Sequence, residues 1–242
     1  MKERLSQPKI LIPSGELAKR ITPYLAEVGI RTSRADQRSL QFDTNAEVTL
    51  VQVRPSDIPA VLSLGLPGVL GGIAGSDSFL EQSGVVNPGI EIPVYKRGER
   101  RPRIAVAATQ SFVEANGGGA TLMDLSGKMI TTTLPEMTKR AFEELGMKTT
   151  LYPQTIGEKE EENTVTIFPV GGKTEALPLL SDACPAVLDV VDSGDTLTAN
   201  GLEVIKDIHE VSVRLVIASG LNEENLAIFA QLEKVLAVRK DK

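Results

Sequence analysis

The side chains best suited to binding chemistry are concentrated in one short stretch of the chain. Asp189 and Asp192 offer carboxylates that accept hydrogen bonds from sugar hydroxyls or from the water shell of a magnesium ion. Ser193 and Thr196 add hydroxyl donors suited to phosphate oxygens, and Gly194 lets the backbone approach a ligand closely. These residue types, in this order, predict a cradle for an anionic ligand.

The elements on either side of this stretch are those that such a cradle needs. The apolar run that begins at Ala186 and ends in acidic residues predicts a strand, and a helix-like start follows Ser193-Gly194-Asp195-Thr196. The first N–H groups of a helix lack intrahelical partners and point at whatever lies before the helix. Ser, Asp and Thr are also ordinary helix-capping residues, so a purely structural turn is the alternative.

The rest of the chain alternates predicted strands with predicted helices, which favours an α/β fold of mainly parallel sheets with helices on their faces. Ligands of such sheets gather at the carboxyl ends of the strands, so the turns at Ser14, Gly75 and Ser193 are expected to line one cleft. Ser14 is expected to cap the first helix, and Pro23 to kink or split that helix. The apolar spacing of the tail predicts a last helix containing Leu226, Phe229, Leu232 and Leu236.

Composition limits the class of protein. The 242 residues are 41% hydrophobic and 24% charged, as in a soluble globular protein with a sizeable core. The net charge of −6 argues against a nucleic-acid partner, and no apolar run is long enough to predict a membrane span. The N-terminal residues lack a hydrophobic signal region, which favours the cytoplasm.

The single cysteine and single histidine exclude several chemistries. Cys184 has no second cysteine for an intrachain disulfide, and its apolar surroundings predict a buried, inert thiol. His209 alone cannot build a multi-histidine zinc site, and a Ser-His-Asp mechanism is improbable. We expect His209 on the surface of a helix or linker.

Several segments, in the same order along the chain, resemble the ATP phosphoribosyltransferase family, which catalyses the first step of histidine biosynthesis. The stretch Asp189–Leu202 resembles the family's phosphoribosyl-binding loop. Arg54–Pro59 resembles its Arg-Pro-Gln-Asp-Val-Pro segment, and Gly72–Asp77 its Gly-Ile-Thr-Gly-x-Asp turn. Gly172–Glu175 resembles its Gly-Ser-x-Glu segment. Because the similarity covers nearly the whole chain, it is far more specific than one loop.

The resemblance implies two lobes like those of type II periplasmic binding proteins, with the substrate cleft between them. Lobe one comprises residues 1–100 and 201–242, on the nucleotide side, and lobe two comprises residues 101–200 with the phosphoribosyl loop. The resemblance is to the family's short form, which lacks a regulatory third domain, and we expect none in this chain. A homo-oligomer and a regulatory subunit related to histidyl-tRNA synthetase are therefore implied as partners.

In this family, N1 of the ATP adenine attacks the anomeric carbon of phosphoribosyl pyrophosphate, and pyrophosphate leaves. Magnesium assists, bound through substrate phosphates rather than through protein ligands. By this resemblance, the residues implied to bind phosphoribosyl pyrophosphate are Asp189, Asp192, Ser193, Gly194, Asp195, Thr196 and Leu197. Those implied to bind ATP are Ser14, Gly15, Glu16, Arg54, Gly75, Ser76, Asp77 and Glu175. No residue is assigned to chemical catalysis.

The first turn departs from the family pattern. Where the family has Pro-Lys-Gly-Arg-Leu, this chain has Pro13-Ser14-Gly15-Glu16-Leu17. Two cations that favour nucleotide phosphates have become a hydroxyl and an acid, and a like charge beside a triphosphate is unfavourable. Two alternatives follow: a non-catalytic or regulatory protein that binds a small anion, or a phosphoribosyltransferase with a different acceptor.

Two charged segments complete the pattern. Lys96–Arg103 holds five cations in eight residues, which fits a solvated hinge or a surface that faces polyphosphate. The segment Gly157–Gly172 contains Glu158, Glu160, Glu161 and Glu162 and is expected to form a mobile acidic loop, an insertion relative to the family.

Overall fold

A computed structural model of the chain describes residues 7–33, 36, 38–46, 48–85, 88–152 and 163–237. Within these residues the strands are β1 (Lys9–Pro13), β2 (Thr32–Ser33), β3 (Gln41–Thr44), β4 (Thr49–Val53), β5 (Val69–Gly75), β6 (Ile90–Glu91), β7 (Arg103–Thr109), β8 (Met129–Thr132), β9 (Lys148–Leu151), β10 (Thr164–Pro169), β11 (Ala186–Val191), β12 (Leu202–Glu210) and β13 (Val213–Ile217). The helices are α1 (Glu16–Glu27), α2 (Ile58–Ser63), α3 (Ser76–Ser83), α4 (Gln110–Ala115), α5 (Pro135–Glu143), α6 (Asp195–Ala199) and α7 (Glu223–Leu236).

The chain divides into two compact units, Met1–Glu99 with Ser212–Lys242, and Arg100–Val211. The first boundary between the units, after Glu99, lies within one residue of the lobe boundary expected after residue 100. The second differs, because β12 pairs along its length with β7 and so belongs to the second unit. His209 lies in that strand and is half-buried, so the expectation of a surface helix or linker position is wrong.

In the first unit the sheet order is β2-β3-β4-β1-β5-β13-β6. The central strands β4, β1 and β5 are parallel, and antiparallel strands lie on both sides of them. Alternate residues of β1 face opposite ways: Ile10 and Ile12 pack in a cluster with α1 and α7, and Leu11 packs with α2 and α3. Helices therefore cover both faces of this sheet.

The helices of the first unit form where apolar residues recur at helical spacing. In α7, Phe229, Leu232 and Leu236 are buried, which confirms the predicted last helix. Helix α1 continues through Pro23, so the predicted split is wrong. Pro23 is exposed while Ile21 and Leu25 are buried, and packing of the apolar stripe holds the helix together across the missing hydrogen bond.

In the second unit the sheet order is β12-β7-β11-β8-β10-β9. Strands β11, β8, β10 and β9 are parallel, and β7 runs antiparallel between β11 and β12. Helix α5 packs against β9 and β10, and α6 packs against β12. The α/β class with parallel strands at the centre of each sheet is confirmed.

The structure also bears on the predictions for Cys184, the acidic loop and a membrane span. Cys184 is buried, with 1% of its surface exposed, as predicted. Residues 157–162 of the expected acidic loop lie outside the described residues, and Thr164–Pro169 forms β10. None of the helices in the described residues is long and apolar enough to cross a bilayer.

Candidate active site

The carboxyl edge of the second unit's sheet holds Asp189 in a fixed orientation. The hydroxyl of Thr133, directly after β8, donates to Oδ1 of Asp189 at 2.8 Å. The hydroxyl of Thr174 donates to Oδ2 at 3.0 Å, and the Val190 N–H donates to Oδ1 at 2.8 Å. Strands β8 and β11 are parallel neighbours, so their ends bring Thr133 and Asp189 to the same edge. Oδ1 thus accepts two hydrogen bonds and Oδ2 one, so Oδ2 keeps a lone pair for a ligand.

The turn between β11 and α6, predicted to bind an anion, is built around a glycine with positive φ. Gly194 has φ 91° and ψ 0°, a left-handed conformation in which a glycine avoids the strain of a side chain. The Ser193 hydroxyl donates to Oδ2 of Asp195 at 2.8 Å and accepts the Asp195 N–H at 3.2 Å. Leu197 is buried in a cluster with Val191 and so anchors α6 to the sheet. Ser193, Asp195 and Thr196 are exposed, as a ligand-binding turn requires.

The segment resembling Gly-Ser-x-Glu meets this edge. Thr174 is buried, and its carbonyl accepts a hydrogen bond of 2.9 Å from the Thr131 hydroxyl. Its own hydroxyl reaches Asp189, so Glu175 lies one residue from a direct partner of that carboxylate. Lys173 has φ 51°, which is uncommon for a residue with a side chain and aids the tight approach. Glu175 is half-buried, and its assignment to ATP stays a prediction.

The other predicted residues meet at one edge of the first unit. Ser14, Arg54 and Ser76 directly follow β1, β4 and β5, which are adjacent and parallel. The Ser14 N–H donates to the Val53 carbonyl at 2.8 Å, which ties the first turn to the end of β4. Gly15 and Glu16 continue that turn, and Gly75 and Asp77 flank Ser76. Parallel order thus gathers three segments that are distant in sequence.

The first turn itself differs from expectation. The cap position of α1 is Gly15, with φ 73° and ψ −145°, and no side chain caps the helix, so the prediction for Ser14 as a cap is wrong. Glycine is required there because the turn leaves the strand with a positive φ. Glu16 is exposed and pairs with Lys19 at 2.6 Å, one turn along α1.

Ser76 is fully buried and has a structural contact. Its N–H donates to the Ser212 carbonyl at 2.7 Å, and its hydroxyl accepts the Ser212 N–H at 3.0 Å. This pair of bonds fixes the Gly75–Asp77 turn against the start of the returning segment. The exposed Arg54 follows β4, which β1 separates from β5 in the sheet.

Sequence reasoning missed Thr133 and Thr174. Three threonines in a row, Thr131 to Thr133, end a predicted strand, and that pattern was the available signal. The described residues contain no group of three or more His, Cys, Asp or Glu side chains placed to hold a metal ion.

The chain is similar to known proteins along most of its length. The family model described as ATP phosphoribosyltransferase (HisG) matches residues 54–237. The ATP phosphoribosyltransferase of Pyrobaculum aerophilum is 32% identical over 220 residues, which is 90% of this chain and 68% of that protein. That of Caldicellulosiruptor bescii is 26% identical over 230 residues, 94% of each chain.

A solved structure shares the fold. The ATP phosphoribosyl transferase (HisG:HisZ) complex from Thermotoga maritima contains a chain that superposes with a TM-score of 0.67 at 23% identity, over 94% of this chain and 96% of that one. Together with the family match over residues 54–237, these similarities show the family. The chain belongs to the ATP phosphoribosyltransferase family.

Proposed function

We propose that this chain transfers the phosphoribosyl group of phosphoribosyl pyrophosphate to N1 of ATP, the first step of histidine biosynthesis. In that reaction N1 forms a bond to the anomeric carbon while the bond from that carbon to pyrophosphate breaks, and pyrophosphate leaves with the bonding electrons. The observation that carries the proposal is the fixed carboxylate of Asp189, placed just before an exposed turn at the start of α6.

Each group of the donor has a complementary feature at that edge. The 5-phosphate suits the backbone N–H groups of the turn from Ser193 to Leu197, with the Thr196 hydroxyl beside them. Asp189 suits a ribose hydroxyl, because its bonds to the two threonines and to the Val190 N–H orient the one lone pair that is left on Oδ2. Asp192, which is exposed after β11, is a second acceptor for the ribose.

ATP is assigned to the edge where β1, β4 and β5 end. Arg54 contributes a cation for its phosphates, and the turns at Ser14–Glu16 and Gly75–Asp77 shape the site. Such a site accelerates transfer mainly by alignment of two bound polyanions, which needs no nucleophile or general base from the protein.

The site is compatible with a magnesium ion that is bound to the phosphates of the donor. The oxygens of Asp189 already accept protein hydrogen bonds, and the described residues offer no three-ligand cluster, so the ion's ligands would be mainly phosphate oxygens. When bound, magnesium neutralises charge on the departing pyrophosphate.

Partners and location extend the proposal. The matched chain from Thermotoga maritima was solved in a complex named HisG:HisZ, which supports a regulatory subunit for this chain as well. We assign that subunit to the relatives of histidyl-tRNA synthetase, and we place the homo-oligomer in the cytoplasm with the other enzymes of amino-acid biosynthesis.

The test mixes the purified chain with ATP, phosphoribosyl pyrophosphate and magnesium, with and without a candidate regulatory subunit. Mass spectrometry should detect phosphoribosyl-ATP, and a coupled assay should detect pyrophosphate. A matched reaction with GTP or with adenosine tests the acceptor. If pyrophosphate is released only with another acceptor, that acceptor replaces ATP in the proposal. If no product forms under any condition, the proposal is wrong and a non-catalytic anion-binding protein is favoured.

A further inference from the structure

Lys173 lies near the carboxyl edge of the second unit's sheet, in the segment that joins β10 to β11. The Val170 N–H donates to the carbonyl of Thr132, the last residue of β8, at 2.9 Å, so the segment starts at this edge. The segment ends at the opposite edge, where the Ala183 carbonyl accepts the N–H of Met129, the first residue of β8, at 2.8 Å. Lys173 follows Val170 closely in the chain, so it belongs to the part of the segment at the carboxyl edge.

The residue after Lys173 is a direct partner of Asp189. The Thr174 hydroxyl donates to Oδ2 of Asp189 at 3.0 Å. Oδ2 is the oxygen that keeps a lone pair for a ligand, because Oδ1 already accepts two hydrogen bonds. A ribose hydroxyl that is bound to Oδ2 therefore lies close to the segment that carries Lys173.

The backbone holds Lys173 in a conformation that is uncommon for a residue with a side chain. Its φ is 51° and its ψ is 50°, in the left-handed region. The Lys173 carbonyl accepts the Ala176 N–H at 3.1 Å, and the Thr174 carbonyl accepts the Thr131 hydroxyl at 2.9 Å. Such a conformation persists where the surrounding contacts determine it, so the position of the Lys173 backbone is set before a ligand arrives.

The Lys173 side chain adds a positive charge to an edge that is assigned to a polyanion. It is exposed, and no side chain in the part of the chain that the structure describes pairs with its ammonium group. A lysine has a flexible stem and three donor N–H bonds, which suit phosphate oxygens. Exposure alone does not distinguish Lys173, since Lys148 is also exposed, but Lys148 is the first residue of β9 and lies at the opposite edge.

We propose that Lys173 binds the pyrophosphate group of the donor and stabilises it as it leaves. When the bond between the anomeric carbon and the pyrophosphate oxygen breaks, that oxygen keeps the electron pair and the negative charge on the leaving group grows. The Lys173 ammonium stays protonated, donates hydrogen bonds to the phosphate oxygens and offsets part of this charge. This inference rests on the proposed function, because it takes Asp189 as the acceptor for the ribose of the donor.

Calorimetry on the full chain with two ligands tests this role. Phosphoribosyl pyrophosphate with magnesium carries the pyrophosphate group, and ribose 5-phosphate lacks it. K173M should weaken binding of phosphoribosyl pyrophosphate at least about fivefold, the loss of a charge-assisted contact, and leave ribose 5-phosphate affinity within about twofold. K173R keeps the charge and should restore most of the loss. K148M, the matched control at the opposite edge, should stay within about twofold for both ligands.

A further variant separates the charge from the backbone. Glycine adopts a φ of 51° without strain, so K173G removes the charge and keeps the turn. K173G should therefore lose as much affinity for phosphoribosyl pyrophosphate as K173M. If K173G binds that ligand as well as the unchanged protein does, the lysine charge does not contact the pyrophosphate and the inference is wrong.

The outcomes distinguish this inference from the proposed function. If the unchanged protein binds phosphoribosyl pyrophosphate and K173M binds it equally well, the inference is overturned while the donor site stands. A K173M loss that is equally large for ribose 5-phosphate would place Lys173 away from the pyrophosphate and would also overturn it. An equal loss in K148M would mean a general charge effect, with the same consequence. If the unchanged protein binds neither ligand, both proposals fail together.

Discussion

The hydroxyl of Thr174 donates a hydrogen bond of 3.0 Å to the carboxylate of Asp189, across 15 positions of sequence. Thr133 donates to the other oxygen at 2.8 Å, from 56 positions away. Two hydroxyl donors therefore orient the Asp189 carboxylate before a ligand arrives, and Oδ2 keeps a lone pair for that ligand.

We predict that removal of either hydroxyl weakens donor binding. T174V and T133V should each raise the KM for phosphoribosyl pyrophosphate about threefold to tenfold, the equivalent of one hydrogen bond of about 0.5–1.5 kcal/mol. T174S and T133S keep the hydroxyl and should restore most of the loss. Steady-state kinetics at saturating ATP measures the effect.

The control is Thr166→Val. The Thr166 hydroxyl contacts that of Thr150 at 3.4 Å in the same sheet, away from Asp189. T166V should alter thermal stability at most and leave the KM unchanged. If T174V and T133V also change only stability, the threonines do not position Asp189 for the donor.

A second prediction concerns the backbone at Gly194. G194A should reduce ribose 5-phosphate affinity about tenfold, because alanine at φ 91° costs roughly 1–2 kcal/mol and favours a different turn. The new Cβ has room, with its nearest neighbour 3.9 Å away, so the strain lies in the backbone. G201A is the matched control: φ is 67°, nothing lies within 4 Å, and the residue follows α6 rather than preceding it.

Both glycine variants should lose similar free energy of unfolding in urea titrations, and only G194A should lose affinity in calorimetry. Equal affinity for G194A and the unchanged protein would show that the turn does not hold the phosphate.

Much of the scaffold follows from the sequence because its signals are local. The apolar run that begins at Ala186 predicts β11, and the apolar spacing of the tail predicts α7. The turns at Ser14, Gly75 and Ser193 are predicted from the residues that follow apolar runs. The spacing of apolar residues and the preference of certain residues for turns are local properties, so a single sequence is enough to predict these helices, strands and turns.

The site's supporting contacts do not follow from the sequence, because they join distant segments. Thr133 and Thr174, the threonine partners of Asp189, are distant from it in the chain, and a single sequence does not show that they lie close to it in the fold. The position of Arg103 opposite Val191 depends on the antiparallel register of β7 with β11, which a single sequence does not give. Ser14 was a reasonable cap by residue type, and the positive φ of Gly15 displaced it.

A third prediction uses the buried thiol. Burial raises the pKa of Cys184 from 9.0 to about 11. Below pH 9 the thiol is neutral in folded and unfolded chains alike. Between pH 9 and 11 only the unfolded chain loses the proton, so the stabilising contribution falls as pH rises, by about 3 kcal/mol in total.

Urea unfolding at pH 8, 9, 10 and 11 measures this loss against C184A, which lacks the thiol. The difference in unfolding free energy between the two proteins should change by that amount above pH 9 and be constant below it. Ellman's reagent should react with Cys184 at pH 8 only after unfolding. A fast reaction with the folded protein, or a pH-independent difference, would contradict the burial of this group.

The last prediction addresses Glu16, the acidic residue at the first turn of α1. E16R replaces a negative charge with a positive one at the edge assigned to ATP, and should lower the KM for ATP about threefold to tenfold at low salt. Two unit charges separated by several ångströms in water interact by about 0.5–1 kcal/mol, and the substitution changes the charge by two. The exposed pair with Lys19 that is lost contributes little, so stability should stay within about 0.5 kcal/mol.

E27R makes the same change in net charge at the opposite end of α1 and serves as the control. The gain should fade at high ionic strength, because salt screens exposed charges. If E27R gains as much as E16R, the effect is one of overall charge. If neither changes the KM for ATP, the triphosphate does not lie at the first turn, and the substitution of the family's arginine by Glu16 reflects a different acceptor.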